Sequence, residues 1–247
     1  LSGVSYQTVS RVINNHPYVA DDTRQRVLEA IEQLGYRPNR AAQSLAGRRT
    51  RALGMTVFGI DYYGPAQMMI NIEAAAREAG YDLIFANVPK TTTDELSEAI
   101  NHLLHWELDG FLFLTPLVGI DYAELQDMTG GKPMVLIGAP APRGISSVSV
   151  DQQHGGKLAA YHLLELGHQR IAEIRGPWDW IDAKERHNSF SDVLALADHP
   201  LVASELGDWT PQSGYDATMR LLDSGLDVTA LAVGNDQMAV GVLRALA

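Results

Sequence analysis

The sequence predicts a small all-α head followed by a larger α/β body built on parallel sheets. Two observations lead to this prediction. The first 35 residues of the 247-residue chain place apolar side chains at helical spacing and contain no strand-like run. From Leu53 onward, short apolar runs alternate with helical patterns, which is typical of parallel strands covered by helices on both faces.

The charge of the chain divides at the same place. Residues 1–50 contain seven arginines and four acidic residues, a net charge of +3. Because the whole chain has a net charge of −11, residues 51–247 carry a net charge of −14. A basic head on an acidic body is expected where only the head contacts phosphate groups. The chain has no cysteine, which excludes disulfides, thiolate catalysis and cysteine-based zinc sites. Because no long apolar run or secretory pattern is present, we expect a cytoplasmic protein.

Two short helices are predicted in the head. Ser5 is placed to cap the first helix, and Gly35 is placed to end the second, which follows "VADD". Each helix has an apolar stripe at core spacing. The stripes consist of Val9, Val12 and Ile13 in the first helix and Val27, Leu28, Ile31 and Leu34 in the second.

The other face of the first helix carries hydrogen-bonding side chains within the run "VSYQTVSRVINN". They are Tyr6, Gln7, Ser10, Arg11 and Asn14. A short helix with such a face, after a tight turn at Gly3, fits the recognition helix of a helix-turn-helix. In the major groove an arginine reads guanine and a glutamine can read adenine. The alternative interpretation is a capped surface helix that faces only water.

The head ends in the run "RPNRAAQSLAGRRT". Within its short helical segment, 39–47, Leu45 is the only large apolar side chain. The flanking arginines are Arg37, Arg40, Arg48 and Arg49. So short a helix is not stable alone. It is either an inter-domain linker with helical tendency or a hinge that folds only on DNA and offers Leu45 as a wedge into the minor groove.

Six apolar runs in the body are interpreted as buried strands. They are "LGMTVF", "YDLIFANV", "GFLFL", "PMVLIG", "RIAEIRG" and "ALAVGND". Helical patterns between them include 66–79, 94–107, 154–166 and 211–224. This alternation predicts two successive α/β units, with "SSVSVD" near 146–151 as the crossover. The chain opens on the turn before a helix and stops inside another, so we expect it to be truncated at both ends.

The run "GVSYQTVSRVINNHPYVADDTRQRVLEAIEQLGYRPNRAAQSLAG" closely resembles the headpiece and hinge of the lactose/galactose repressor (LacI/GalR) family. The resemblance continues through "GHQRIAEIRGP", "GDWTPQSGY" and "LAVGNDQMAVG" and covers essentially the whole chain. It implies an all-α helix-turn-helix headpiece over 1–48 and a periplasmic-binding-protein-like core. The core would consist of two Rossmann-like subdomains with parallel sheets, 49–150 and 151–247, the second incomplete.

The resemblance also implies a homodimer that binds a near-palindromic operator in double-stranded DNA. By matched position, Tyr6, Gln7 and Arg11 would read bases, and Leu45 with its symmetry mate would pry open the central base step. The residues that position the DNA backbone would be Ser10, Asn14, Thr23, Tyr36, Asn39 and Gln43. The chain departs from the family in lacking the first helix of the motif. It also has Ala20 where a serine commonly caps the third headpiece helix, a role that Asp21 could take.

In the core, the resemblance implies a small-molecule effector bound between two lobes. Matched positions give Arg186, Trp209 and Asn235 as ligand contacts, and Tyr62, in the loop after the first strand, is expected to line the cleft. A forked donor, a flat apolar face and an amide suit a sugar. Gly138 departs from the pattern, because sugar-responsive relatives often carry an aspartate there, and this leaves the identity of the ligand open.

Each of these positions also has a purely structural interpretation. Arg186 could be a solvated helix residue, and Trp209 could be core packing. Asn235 follows a buried strand, where α/β folds place ligands. Asp236 is expected to cap the last helix. Ser189 stands where the family usually has a glycine.

No enzyme motif is complete. "TGGKP" and "HGGKL" lack the spacer and the hydroxyl residue of a phosphate-binding loop, and His102 and His105 lack the glutamate of a metalloprotease pattern. We therefore expect no catalytic residue, no metal site and no cofactor.

The sequence is accordingly interpreted as a repressor-type transcriptional regulator controlled by a small molecule, with a carbohydrate as the expected effector. Closure of the two lobes on the effector would unfold the 39–47 segment and release DNA. The alternatives are a solute-binding protein of a transport system, a nucleotide-dependent enzyme, and a family member that answers to a non-sugar ligand or a protein corepressor.

Overall fold

The computed structural model describes residues 2–13, 16–36, 49–114, 121–138 and 144–247. The chain divides into two compact units, Leu1–Thr50 and Arg51–Ala247. The first unit is helical and the second combines helices with two parallel sheets, so the predicted fold class is confirmed. The predicted boundaries at 48/49 and 150/151 stay predictions. No helix in the described ranges is long and apolar enough to cross a membrane.

The N-terminal unit contains helices α1 (Tyr6–Ile13) and α2 (Asp21–Leu34), which pack against each other. The buried apolar side chains of this pair are Val12, Val27 and Ala30. The prediction that Leu28 and Leu34 belong to the core is wrong, because their side chains are 47% and 62% exposed. Among the described residues of this unit α2 packs only against α1, and a single partner helix covers one narrow stripe.

The ends of these helices are fixed largely as predicted. Ser5 caps α1, its Oγ accepting a hydrogen bond from Thr8 N at 3.3 Å. Gly35 ends α2 in the left-handed conformation, with φ of 55°, and its amide donates to Glu32 O at 3.1 Å.

The start of α2 differs from the prediction. Ala20 is its N-cap and makes no side-chain capping bond. Asp21 lies inside the first helical turn instead of at the N-cap, so it does not take the capping role. With Asp22, it places negative charge at the positive end of the helix dipole.

The second unit begins with a five-stranded parallel sheet in the order β2-β1-β3-β4-β5. We call this sheet and its helices lobe 1. Its elements are β1 (Ala52–Phe58), α3 (Tyr63–Glu78), β2 (Asp82–Val88), α4 (Thr93–Leu104), β3 (Gly110–Leu114), α5 (Tyr122–Met128), β4 (Met134–Ile137) and β5 (Ser146–Val148). One face of the sheet packs on α4 and α5 through Leu96, Ile100, Leu103 and Leu125. The other packs on α3 through Met55 and Val57.

Lobe 2 holds a three-stranded parallel sheet in the order β7-β6-β8. Its elements are α6 (Gln152–Glu165), β6 (Ile171–Arg175), α7 (Ile181–Leu196), β7 (Ala203–Leu206), α8 (Pro211–Asp223), β8 (Ala230–Val233) and α9 (Asp236–Leu246). Helices α6 and α7 pack together, as do α8 and α9. Successive residues of β6 face opposite clusters, with Ile171 beside Phe190 and Ala172 beside Ala217.

All six predicted strands are present. The predicted crossover at 146–151 is wrong in part, because Ser146–Val148 is the edge strand β5, paired with β4. Only the residues after it lead into α6. The short strand β7 was not predicted at all.

Candidate ligand cleft and nucleic-acid face

The outward face of α1 is the candidate nucleic-acid contact. Tyr6, Gln7 and Arg11 are exposed there, Tyr6 by 86%. Because successive helix residues are about 100° apart, these side chains share one arc of the helix, opposite the buried Val12. Among the described residues, the Arg11 guanidinium has no hydrogen-bond or ion-pair partner, so its donors are available to a base or a phosphate.

The remaining predicted DNA contacts differ in their exposure, and several lie outside the described residues. Ser10 is half-buried on α1, and Tyr36 is exposed beyond the end of α2. Thr23 is half-buried in the first turn of α2, where its hydroxyl accepts a hydrogen bond from Arg26 Nη2 at 3.4 Å. The other predictions fall outside the described residues. These are Asn14, Asn39, Gln43, Leu45 and the hinge segment 39–47.

A cavity lies between the lobes at the carboxyl ends of β1, β3 and β4, the edge where parallel sheets place ligands. Its lining residues are Phe58, Pro65, Met68, Leu114, Ile137 and Gly138 of lobe 1 and Trp180, Ile181 and Asp182 of lobe 2. The cavity volume is about 40 Å³. Ligand pockets commonly measure roughly 300–1,000 Å³, so a sugar ring requires these walls to move apart.

An aromatic cluster joins the lobes beside this cavity, and Trp180 lies at its centre. The Trp180 ring centroid is 5.2 Å from that of Phe58, 5.6 Å from that of Tyr62 and 5.7 Å from that of Trp209. The contacts with Tyr62 and Trp209 are edge-to-face, an arrangement that aromatic pairs prefer. A ligand that enters the cleft therefore meets flat apolar rings from both lobes.

Tyr62 belongs to this cluster, as predicted, while the neighbouring Tyr63 is exposed. Burial raises the pKa of the Tyr62 phenol, and the nearby carboxylates of Asp208, Asp179 and Asp61 raise the pKa further. The phenol is therefore neutral at physiological pH and can both donate and accept a hydrogen bond.

Trp209 is only 5% exposed and packs in the core of lobe 2. Its ring lies against the backbone at the ends of two strands, since a Cβ added at Gly176 or Gly234 would crowd it. The indole Nε1 is buried without a hydrogen-bond partner among the described residues. The structural interpretation of Trp209 as core packing thus describes this conformation, and a ligand contact would need the ring to be uncovered.

Arg186 and Asp182 lie one turn apart on α7, with Asp182 in the wall of the cavity and Arg186 beside Trp209. The Arg186 guanidinium carbon is 5.5 Å from the centroid of the Trp209 ring. Burial raises the pKa of Asp182 while the Arg186 charge lowers it, and the net shift is upward. Burial lowers the pKa of Arg186, and the Asp182 charge opposes that shift. Neither side chain makes a hydrogen bond or close ion pair with another described residue.

The side-chain amide of Asn235 forms hydrogen bonds within lobe 2. Its Oδ1 accepts a hydrogen bond from Met238 N at 2.8 Å, which makes Asn235 the N-cap of α9. Its Nδ2 donates to Trp209 O at 3.1 Å. The prediction that Asp236 caps this helix is therefore wrong, because Asp236 is its first helical residue. The same Nδ2 also donates to Gln237 Oε1 at 3.5 Å, so the amide group of Asn235 is engaged by protein acceptors in this conformation.

Gly138 faces open space in the cavity wall. Its φ is 82°, and a Cβ added there would meet no atom of the described residues within 4 Å. Ser189, in contrast, is 5% exposed on α7, and its hydroxyl donates to Glu185 O at 2.9 Å. Gly156 of α6 lies directly against Ser189 and against the carbonyl of Arg186, which brings the two helices close together.

A second polar cluster lies behind the cleft. Glu173 of β6 is nearly buried and accepts hydrogen bonds from His187 Nδ1 at 2.5 Å and Ser204 Oγ at 3.1 Å. His187 also contacts Trp178 edge-on, and the Arg175 guanidinium lies 4.1 Å from the centroid of the Trp178 ring. This cluster ties the loop between β6 and α7 to both elements, and that loop carries Trp180.

Most of the described cavity lining was not predicted from the sequence, including its aromatic and charged members Phe58, Trp180 and Asp182. A signal for Asp182 was present, because it precedes Arg186 by four residues and so shares its helix face. The sequence around Phe58 and Trp180 does not indicate a ligand site, because aromatic residues near strand ends pack in the core as often as they contact ligands. Groups of three or more metal-ligating side chains are lacking in the described parts of the chain.

The chain matches two protein-family models. "Bacterial regulatory proteins, lacI family" matches residues 1–39, and "Periplasmic binding proteins and sugar binding domain of LacI family" matches residues 65–247. The chain is 32% identical over 245 residues to the lactose operon repressor of Escherichia coli K12, covering 99% of this chain and 68% of that repressor.

Solved structures agree with these matches. A lac repressor dimer bound to operator and the anti-inducer ONPF superposes with a TM-score of 0.90 at 32% identity, covering 99% of this chain and 74% of the repressor chain. A complex of the transcriptional regulator CelR with cellobiose gives a TM-score of 0.66 at 31% identity, covering all of this chain and 75% of the other.

Proposed function

Because the chain belongs to the LacI family of bacterial regulatory proteins, we propose that it represses transcription at operator DNA under the control of a small carbohydrate. It is a DNA-binding transcriptional regulator and not an enzyme. The proposal rests mainly on one observation: the chain combines an exposed hydrogen-bonding helix face with an aromatic cleft, beside which the Asp182 carboxylate and the Arg186 guanidinium make no hydrogen bond to another described residue. We place its action in the cytoplasm, with operator DNA.

The DNA-binding part of the proposal assigns roles to the head. Tyr6, Gln7 and Arg11 read base edges, while Ser10, Thr23 and Tyr36 contact the backbone. Two copies of the chain bind a near-palindromic site, as a dimer does in the related operator complex. For the residues outside the described ranges, the roles implied by the family resemblance stay predictions: Leu45 as the wedge, and Asn14, Asn39 and Gln43 on phosphates. A solute-binding protein of a transport system would not need a DNA-binding segment, and residues 1–39 match the model of one.

Arg11→Ala tests the recognition face. We expect it to weaken operator binding by about 1–3 kcal/mol and to relax the base preference at one position in each half-site. The operator is first selected from a random-sequence pool, and affinities are then measured by fluorescence anisotropy. Arg77→Ala is the matched control, because this exposed arginine of α3 pairs only with Glu73 and should leave binding unchanged. A loss spread evenly over all sequences would make Arg11 a phosphate contact.

The effector part of the proposal rests on the chemistry of the cleft. Flat rings from Phe58, Tyr62 and Trp180 suit the apolar faces of a sugar, and Arg186 offers donors to its hydroxyl groups. These rings join the two lobes, so a ligand between them must change the contacts across the cleft. A ligand that binds one arrangement of the lobes better than the other shifts their equilibrium, which supplies the coupling to DNA.

A thermal-shift screen tests the effector class. The protein is heated with neutral sugars, sugar phosphates, nucleosides and purines. A ligand at 100 times its Kd adds about 2.7 kcal/mol of stability, enough for a clear rise in Tm. We expect hits among the sugars. A shift only with nucleosides or purines would refute the carbohydrate effector and leave the DNA-binding role intact.

A further inference from the structure

We propose that Asp182 supplies the ligand-binding carboxylate of the cleft from lobe 2, and that the effector is a neutral sugar held by its hydroxyl edge against α7. This inference rests on the proposed carbohydrate effector and narrows it. It resolves the difficulty raised by Gly138, which leaves the opposite wall without the acid that sugar-responsive relatives often carry.

Asp182 and Gly138 line the same cavity from opposite lobes. Among the described residues, a side chain at position 138 would meet no neighbour, so this part of the lobe 1 wall is short of a side chain at that point. The other described residues of that wall are apolar: Phe58, Pro65, Met68, Leu114 and Ile137. Asp182 is thus the one carboxylate among the described residues that line the cavity.

The Asp182 carboxylate has unused hydrogen-bonding capacity. It is half-buried, which raises its pKa, yet no described residue donates a hydrogen bond to it. Arg186, one turn along α7, likewise makes no hydrogen bond from its guanidinium among the described residues. Polar groups removed from water are normally paired, and groups left unpaired together in a cleft are suited to a ligand.

The two side chains specify what that ligand must offer. A carboxylate only accepts hydrogen bonds and a guanidinium only donates them, so a hydroxyl group can satisfy either. Because the two charges cancel on adjacent turns, the helix face favours a neutral ligand over an anion. A phosphate or carboxylate on the ligand would meet one arginine whose charge Asp182 already offsets, and would be repelled by Asp182 itself.

The opposite wall fixes the orientation of the sugar. With Gly138 in place of an acid, the described residues of lobe 1 that line the cavity offer no charged side chain to a hydroxyl group at this point. The hydroxyl edge of the sugar therefore faces α7, and its apolar face or substituent faces β1, β3 and β4. Asp182 is the residue that selects for hydroxyl groups at this edge.

The test compares Asp182→Asn with Asp192→Asn, an exposed carboxylate on the same helix and outside the described cavity lining. Binding of D-glucose, D-galactose, cellobiose, D-glucose 6-phosphate and D-gluconate to each protein is measured by calorimetry. We expect a neutral sugar to bind the parent at least tenfold more tightly than either anion. Asp182→Asn should weaken that sugar tenfold or more, as expected for loss of a charged acceptor. Asp192→Asn should bind it like the parent.

The stability of the ligand-free protein separates a binding role from a structural one. Asp182→Asn removes a desolvated, unpaired charge, so its Tm without ligand should equal or exceed that of the parent. A lowered Tm would point to a structural role and overturn the inference.

The other outcomes are also decisive. Unchanged affinity in Asp182→Asn, or preference for glucose 6-phosphate or gluconate, would overturn the inference while a carbohydrate effector stands. If no sugar in the set binds the parent, the carbohydrate effector fails and the inference fails with it.

Discussion

At the scale of single residues, the side chain of Asn235 forms hydrogen bonds with three neighbours, the weakest of them to Gln237 Oε1 at 3.5 Å. It caps α9 through Met238 N and also donates to the carbonyl of Trp209, whose φ is 75°. A non-glycine residue in this conformation needs support from its surroundings. The sequence predicted Asn235 as a ligand contact but could not show that its amide is already engaged, because the partner carbonyl lies 26 positions away.

Asn235→Ala should lower the free energy of unfolding by about 1–2 kcal/mol, the cost of a lost cap and of an unpaired carbonyl. Urea denaturation followed by circular dichroism measures the change. Asn188→Ala, an exposed position on α7, is the control and should stay within about 0.5 kcal/mol of the parent. A parent-like midpoint for Asn235→Ala would show that neither bond contributes to stability.

At the scale of elements, a strand could be predicted from the sequence when its apolar run was long. The six strands with long apolar runs were predicted, whereas β7, with the sequence "ASEL", is four residues long and half polar. Strand β5 is exposed along its length and exists because β4 pairs with it. Such edge strands depend on a neighbour distant in sequence, and local periodicity does not reveal that neighbour.

The contact between α6 and α7 is an element-scale feature with a sharp test. A Cβ at Gly156 would clash with the Arg186 carbonyl and the Ser189 hydroxyl, while a Cβ at the preceding Gly155 would meet nothing within 4 Å. Gly156→Ala should therefore cost about 1–3 kcal/mol of stability by overpacking. Gly155→Ala should gain up to about 1 kcal/mol, because alanine favours a helix interior.

Urea denaturation of the two variants supplies the comparison, and opposite signs are the expected result. Gly156→Ala should also weaken effector binding, since a shift of the Arg186 backbone moves its guanidinium. If both alanines stabilise the protein alike, the two helices are not in close contact at Gly156.

At the scale of the whole molecule, the uneven charge was the most informative property of the sequence. It assigned a basic surface to the head and an acidic one to the body, and the family matches fall on the same two regions. The cleft was predicted less completely, because its walls come from loops after strands of two different sheets. Tyr62 and Arg186 lie beside the cavity, against Trp180 and Trp209, and their roles as ligand contacts stay predictions, while Phe58, Trp180 and Asp182 became evident only when the lobes were seen together.

The positions of the four tryptophans have a practical consequence. Trp106 follows α4 in lobe 1 and is 54% exposed. Trp178, Trp180 and Trp209 all lie in loops after β6 and β7, and two of them belong to the array of rings that joins the lobes. Intrinsic tryptophan fluorescence therefore reports on the opening of the cleft without an added label. Separation of the lobes should redden and quench the emission of Trp180 and Trp209, and that of Trp106 should supply a steady background.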